Sequence, residues 1–176
     1  GNPTGPVTVN WTLINAANIS ASTANGHIDN TGLFTPGIAT TWTVPATHAV
    51  LGNVSTTIEV PPGELDGIVI SPGFMEADAG ESIAYSVSGA DANGNTVDIS
   101  GTTAWYLDGA LQTSGTISST EVGNHTIMAV NAGHLAIAYM EISPAPGSII
   151  SIDQTDISIS ADDTLTFTVT VTDEYG

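Results

Sequence analysis

A run of nine residues near the C-terminus alternates strictly between threonine and apolar side chains. Over residues 164–172 every second residue is apolar, namely Leu165, Phe167, Val169 and Val171, and all the others are threonine. Successive side chains of a β-strand point to opposite faces, so this order places the four apolar side chains on one face. The segment therefore predicts a strand with one buried and one exposed face.

The same two-residue period recurs along the chain. It runs through residues 82–88, where Ile83, Tyr85 and Val87 share one face, and through residues 7–13 and 68–70. No segment sustains the 3.6-residue period of a helix, and 19 glycines and 9 prolines supply turn residues between the alternating runs. These patterns predict an all-β fold.

An internal repeat organises the chain. A shift of 82 residues superposes apolar positions without a gap, for example Ile70 on Ile152, Ile83 on Leu165 and Tyr85 on Phe167. A second match places Trp11 on Trp105, and the strand at 56–60 falls on residues 138–142. A period of this length is typical of stacked or tandem domains.

The repeat predicts where domains begin and end. Residues 64–143 form one complete domain, residues 1–60 correspond to the later part of a preceding domain, and residues 148–176 correspond to the first strands of a following one. Short proline-containing linkers are expected at 61–63 and 144–147. The chain opens without an initiator methionine or a basic signal region, so we expect a processed piece or an excerpt of something longer.

The charge balance excludes several functions. The chain has 18 Asp plus Glu, no Lys and no Arg, which gives a formal charge of −18. Without cationic side chains it cannot neutralise phosphates, so no nucleic-acid partner is expected, and anionic membrane surfaces repel it. The absence of cysteine excludes disulfides, thiolate nucleophiles and cysteine zinc sites. Polar residues interrupt the apolar stretch at 122–140, so no membrane insertion is expected.

Several segments resemble Ig-like repeats of prokaryotic surface proteins. GHIDNTGLFTPG at 26–37, followed by TWTVPAT and the strand VSTTIEV, resembles the group 2 bacterial and archaeal Ig-like repeat. The turn DANGN at 91–95, the opening GNPTGPVTVNWT and the closing TVTDEYG resemble the group 1 repeats of invasin-type adhesins. The resemblance implies tandem Ig-like β-sandwiches, one complete central domain flanked by two partial ones. It also implies a non-enzymatic stalk, spacer or surface-layer module at the cell surface.

The DANGN turn also suggests a metal site. Asp91, Asn93 and Asn95 offer oxygen ligands at alternate positions, and Glu64 and Asp66 could approach them from the linker. Oxygen ligands suit a hard cation such as Ca²⁺ or Mg²⁺, and Ca²⁺ is the candidate cofactor. The alternative is an Asn-Gly hairpin turn, in which the same residues serve the backbone.

The sequence gives no support for an enzyme. The four histidines are single, with no metal-binding spacing, and no G-x-S-x-G elbow is present. They are expected to occupy strand or turn positions without a chemical role. Four N-x-S/T sequons, at Asn10, Asn18, Asn53 and Asn124, are candidate glycosylation sites.

The partial domains suggest how the chain assembles. Residues 148–176 contain only the first strands of a domain, and residues 1–60 contain only the later strands. One chain could therefore complete the next by strand complementation, head to tail. Leu165, Phe167, Val169 and Val171 would be the donor anchors, received by a core that contains Trp11, Leu13 and Val60. The expected partners are therefore copies of the chain or neighbouring repeats.

Two alternatives to this filament stay open. In the first, the chain is a stretch of a long tandem array and its neighbouring repeats complete it. It could also be a glycan-binding adhesin, in which an exposed Trp42 together with Phe34 stacks on a sugar, although the pattern favours an inward-facing Trp42. All three readings suit an extracellular location, where a chain without Lys or Arg resists trypsin-like proteases.

Overall fold

The regular structure consists of β-strands. The computed structural model of the chain describes residues 5, 7–15, 19, 21–22 and 24–176, and no helix occurs in them. None of these residues therefore forms a helix long and apolar enough to cross a membrane. The all-β prediction is confirmed. In chain order the strands are β1 (Asn10–Trp11), β2 (Ile14–Asn15), β3 (Gly26–Ile28), β4 (Phe34–Pro36), β5 (Thr41–His48), β6 (Gly52–Glu59), β7 (Leu65–Ser71), β8 (Phe74–Asp78), β9 (Ser82–Ala84), β10 (Ser86–Asp91), β11 (Thr96–Val97), β12 (Ala104–Leu107), β13 (Ala110–Gln112), β14 (Thr116–Ser118), β15 (Gly123–Asn131), β16 (His134–Ser143), β17 (Ile149–Ile152) and β18 (Val169–Thr172).

The chain divides into two compact units. The first ends at residue 68 and also takes in residues 88–99, while the second comprises residues 69–87 and 100–176. Strands β7 and β10 have residues in both units, and they pair with β11 in the order β11-β10-β7. The domain boundaries that the repeat places at residues 60–64 and 143–148 remain predictions.

The first unit is built on the hairpin β5–β6. Its eight register pairs run from Thr41 opposite Glu59 to His48 opposite Gly52, and β1 and β2 pair with β5 on its other edge. Every second residue of β5 is buried, namely Trp42, Val44 and Ala46. The alternation in the sequence thus becomes the buried face of the sheet.

The second unit contains a five-stranded sheet in the order β13-β12-β15-β16-β8. The hairpin β15–β16 is antiparallel, whereas β8 joins the free edge of β16 in parallel. The inward residues of β16 are Ala136, Ala138, Met140 and Ile142, and all four are buried. Against them lies a core to which Ile83, Tyr85, Trp105, Ile117 and Ile127 contribute buried side chains.

The predicted strand at 164–172 is shorter than its alternation suggests. Only Val169–Thr172 forms a strand, β18, which pairs antiparallel with β17. Leu165 and Phe167 lie outside it, so that part of the prediction is wrong. A strand is held by hydrogen bonds to a neighbour. In the complete repeat the equivalent residues, 82–84, pair with β14, and the described residues provide no such neighbour for residues 164–166.

Candidate assembly surface

The C-terminal segment exposes apolar side chains at positions that are buried one repeat earlier. Ile152 is 46% exposed, whereas its counterpart Ile70 is 7% exposed. Phe167 is 53% exposed, and its counterpart Tyr85 is 6% exposed. Seven more large apolar or aromatic side chains of the segment are also exposed, namely Ile149, Ile150, Ile157, Ile159, Val169, Val171 and Tyr175. We call residues 148–176 the open tail, because its apolar face is uncovered.

Strand β6 shows a matching uncovered face in the first unit. Val54 is 71% exposed, whereas Ala136, which lies 82 residues later in β16, is 9% exposed. Thr56 is likewise exposed where Ala138 is buried. Among the described residues β6 pairs only with β5, while β16 carries β8 on its second edge. We call this face and free edge of β6 the open strand.

The predicted acceptor residues lie beside this hairpin. Trp11 in β1 stands opposite Ala46 of β5, and its ring lies against Gly32, where an added Cβ would be 3.0 Å from the indole. Trp105 lies against Gly115 in the same way in the second unit. Trp11, Leu13 and Val60 are all half-buried. Their assignment as acceptor residues remains a prediction.

Trp42 cannot form a sugar platform. Its side chain is 0% exposed, its Nε1–H donates to the carbonyl of Ile38 at 3.2 Å, and Phe34 packs edge-on with ring centroids 6.1 Å apart. A stacking platform must present a ring face to solvent, so the adhesin reading based on Trp42 is wrong. The sequence favoured an inward tryptophan at this position, although alternation shows only which residues share a face and not which face is covered.

The DANGN turn is organised by Asp91, which is buried. Its Oδ1 accepts the backbone N–H groups of Asn93 and Asn95, both at 2.9 Å. Its Oδ2 accepts the Gly63 N–H and the Asn95 side-chain amide, both at 2.8 Å. The hydrogen bond from the Asn95 amide and that from Gly63 lower the pKa of Asp91 to about 2. The Asn95 side chain also accepts the Ala39 N–H at 2.8 Å. We call these contacts the linker clamp.

The clamp recurs 82 residues later, which the sequence analysis did not anticipate. Asp173 Oδ2 accepts the Ala145 N–H at 3.0 Å, and its Oδ1 accepts the Tyr175 N–H at 3.0 Å. Asp173, Ala145 and Tyr175 are the counterparts of Asp91, Gly63 and Asn93. The superposition of Asp91 on Asp173 was the available signal. The bond to a linker 28 residues away could not be deduced from it.

The clamp does not fit a calcium site. Both carboxylate oxygens of Asp91 already accept two N–H donors each, which leaves them little capacity to coordinate a cation. Glu64 and Asp66 are exposed, and the Asn93 side chain is exposed as well. Over the described part of the chain, no three His, Cys, Asp or Glu side chains are close enough to hold a metal together. The geometry is that of a hydrogen-bonded turn.

His125 forms a buried polar network in the second unit. It is 6% exposed, its Nδ1 lies 2.6 Å from Asp108 Oδ2, and its Nε2 lies 2.7 Å from the carbonyl oxygen of Glu121. The hydrogen bond to Asp108 raises the pKa of His125. The hydrogen bond from the Thr126 N–H lowers the pKa of Asp108, and the hydrogen bond with His125 lowers it further. An acceptor therefore faces each ring nitrogen, an arrangement that suits the doubly protonated ring and that the isolated place of His125 in the sequence did not reveal.

Ser119 lies close enough to suggest a Ser-His-Asp triad, with its Oγ 3.3 Å from His125 Nε2. A triad needs an Nε2 that can accept the serine proton. A carbonyl oxygen can only accept a hydrogen bond, so the contact with Glu121 requires a hydrogen on Nε2. Ser119 Oγ in turn accepts the Glu121 N–H at 3.0 Å. The network is thus built for packing and not for nucleophilic attack.

The candidate glycosylation sites fall on strands or outside the described residues. Asn10, Asn53 and Asn124 are exposed, in β1, β6 and β15. Asn18 lies outside the described residues. Their occupancy by glycans remains a prediction.

Comparison with known proteins supports the fold. No protein-family model matches the chain, and no curated protein matches it significantly. Among solved structures, the chain is similar to InvD of Yersinia pseudotuberculosis, with a TM-score of 0.50, 18% identity, and coverage of 99% of this chain and 62% of that one. The S-layer protein rSbsC matches with a TM-score of 0.35 and 17% identity, over 87% of this chain and 23% of that one. The N-terminal four Ig domains of Dscam1 match with a TM-score of 0.38 and 12% identity, over 77% and 38% of the two chains.

The chain spans less than two thirds of the length of InvD. At 18% identity, the likeness to InvD is evidence for the fold alone. The resemblance to Ig-like repeats, inferred from turns and alternation, is confirmed at that level. The chain is an all-β protein of tandem Ig-like sandwiches.

Proposed function

We propose that this chain is a structural, non-enzymatic module of an extracellular or cell-surface assembly, and that its open repeats are completed by strands from a neighbouring copy. One observation carries the proposal. The open tail and the open strand expose apolar side chains at positions that are buried in the complete repeat.

The exposed side chains are too numerous to be incidental. Scattered surface apolar residues are normal, but a contiguous apolar face marks an interaction surface. In the open tail, Ile150 is 75% exposed and Val171 is 62% exposed, and the two stand opposite each other on β17 and β18. Covering this face with the missing part of the sandwich would remove it from water.

The surface location rests on the fold and the composition. Ig-like repeats resembling these build stalks and surface layers of prokaryotes, and a chain with no Lys and no Arg gives trypsin-like proteases no cleavage site. The closed polar network around His125 and the self-satisfied linker clamp support a role in shape and spacing, with no catalysis.

Sedimentation velocity of the 176-residue chain over a range of concentrations tests the proposal. Complementation between copies predicts species that grow in mass with concentration, because a head-to-tail contact does not close. A single monomeric species at all concentrations would contradict it. The function would then reside in a longer array whose repeats complete one another within one chain.

A further inference from the structure

The complete repeat contains a parallel strand pair that defines a template. Strand β8 runs alongside β16 with Met75 opposite Met140, Glu76 opposite Glu141, and Ala77 opposite Ile142. This pairing fills the free edge of β16 over residues 139–143.

The 82-residue repeat relates this strand pair to residues of the open strand and of the open tail. Strand β16 corresponds to residues 52–61, which comprise β6 and the two residues after it, and β8 corresponds to residues 156–160 of the open tail. Resting on the function proposed above, we propose that residues 156–160 of one copy pair in parallel with residues 57–61 of a second copy. In this register Ser158 lies opposite Glu59, and Ile157 and Ile159 lie opposite Ile58 and Val60.

The exposure of these residues fits the register. Ile157 is 42% exposed and Ile159 is 51% exposed, and neither lies in a strand. Their counterparts are Met75, which is 37% exposed, and Ala77, which is 8% exposed. Ile159 is therefore the side chain that gains most from joining the edge of β6.

Charge favours a contact between copies at this place. Two chains of formal charge −18 repel each other, yet the paired segments 57–61 and 156–160 contain only two ionisable side chains, Glu59 and Asp156, which are not opposite each other in this register. The template pair Glu76 and Glu141 juxtaposes two carboxylates, whereas the transferred pair, Ser158 and Glu59, has only one. Like charges directly opposite each other destabilise a strand pair, so the contact between copies avoids a penalty that the template carries.

A second strand pair transfers in the same way. Strand β9 pairs antiparallel with β14, with Ile83 opposite Ile117. Gly32 under Trp11 matches Gly115 under Trp105, which aligns Ile117 with Phe34. The transfer therefore places Leu165 of the open tail opposite Phe34 of β4 in the partner copy. The segment 164–166, which has no strand partner among the described residues, would then become a strand.

Cysteine pairs test the register without background, because the chain has no cysteine. We expect a mixture of the single variants Glu59→Cys and Ser158→Cys to give a disulfide-linked dimer under mild oxidation. The matched control mixes Ser55→Cys with Ser158→Cys. Ser55 lies on the same exposed face of β6, but about 13 Å farther along the strand. The expected yield for the 59/158 pair is at least tenfold that of the control.

Sedimentation of the same mixtures separates two kinds of failure. If the copies associate but the control pair links as well as the 59/158 pair, the register is wrong and the proposed function stands. If the copies do not associate, the proposed function fails and the register with it. Finally, the double variant Glu59→Cys/Ser158→Cys should link between chains. Concentration-independent linking within one chain would overturn the assignment of a second copy as the occupant.

Discussion

Replacement of Phe167 should weaken assembly by an amount that the structure allows us to work out. The side chain is 53% exposed in the single chain, and its counterpart Tyr85 is 6% exposed in the complete repeat. For a side chain of about 200 Å² this difference is about 95 Å² of apolar surface. At about 25 cal/mol per Å² its burial contributes about 2.4 kcal/mol to each contact between copies.

We therefore expect Phe167→Ala to raise the dissociation constant about 50-fold, because about 1.4 kcal/mol corresponds to a factor of ten. Phe167→Asp should abolish assembly, since it also places a carboxylate in an apolar core. The matched control is Thr168→Asp, which adds the same charge on the opposite face of the segment. Sedimentation over a concentration series measures all three, and equal loss for the two aspartate variants would refute the reasoning.

Three further predictions concern charge and hydrogen bonds. The pKa of His125 is raised in the folded chain, so the stabilisation from its hydrogen bonds is complete below about pH 6.5 and is lost as the pH rises through the folded pKa. We therefore expect His125→Gln to lower the free energy of unfolding by about 1.5 kcal/mol at pH 6 and by less at pH 9. Urea unfolding of both proteins at the two pH values checks this, and an equal cost at both would show that His125 is not charged. Asn95→Ala should speed amide hydrogen exchange at Ala39 about tenfold, whereas Asn93→Ala, which removes an exposed side chain, should leave it unchanged. Assembly should strengthen as salt rises from 0.01 to 0.15 M, because screening weakens the repulsion between chains of charge −18. A chelator should have no effect on assembly. Weakening by salt or by the chelator would contradict these expectations.

The sequence predicted fold class and repeat better than it predicted contacts. Alternation around Ile83 and Phe167 identified strand-forming segments, because the two-residue period is a local property of the chain. Whether such a segment becomes a strand depends on a neighbour, and for this reason Leu165 lies outside a strand while its counterpart Ile83 lies in β9 beside β14. The same limit applies to Trp42, whose burial depends on what covers its side of the sheet.

The candidate sites show a similar division. The DANGN pattern correctly indicated a turn. It did not indicate that both carboxylate oxygens of Asp91 accept hydrogen bonds from N–H groups. One of these donors lies 28 residues away, at Gly63, and no local pattern reports such a distance. The pairing of His125 with Asp108, 17 residues apart, was hidden for the same reason.

The linker clamp has a consequence for how such a chain can diversify. Asp91 and Asp173 hold their linkers through a backbone N–H, donated by glycine in one case and by alanine in the other. Every residue except proline offers that group, so the joint places almost no demand on the side chain at the held position. Repeats joined in this way can be duplicated, deleted or exchanged between genes, and the new neighbours meet at a joint that already fits.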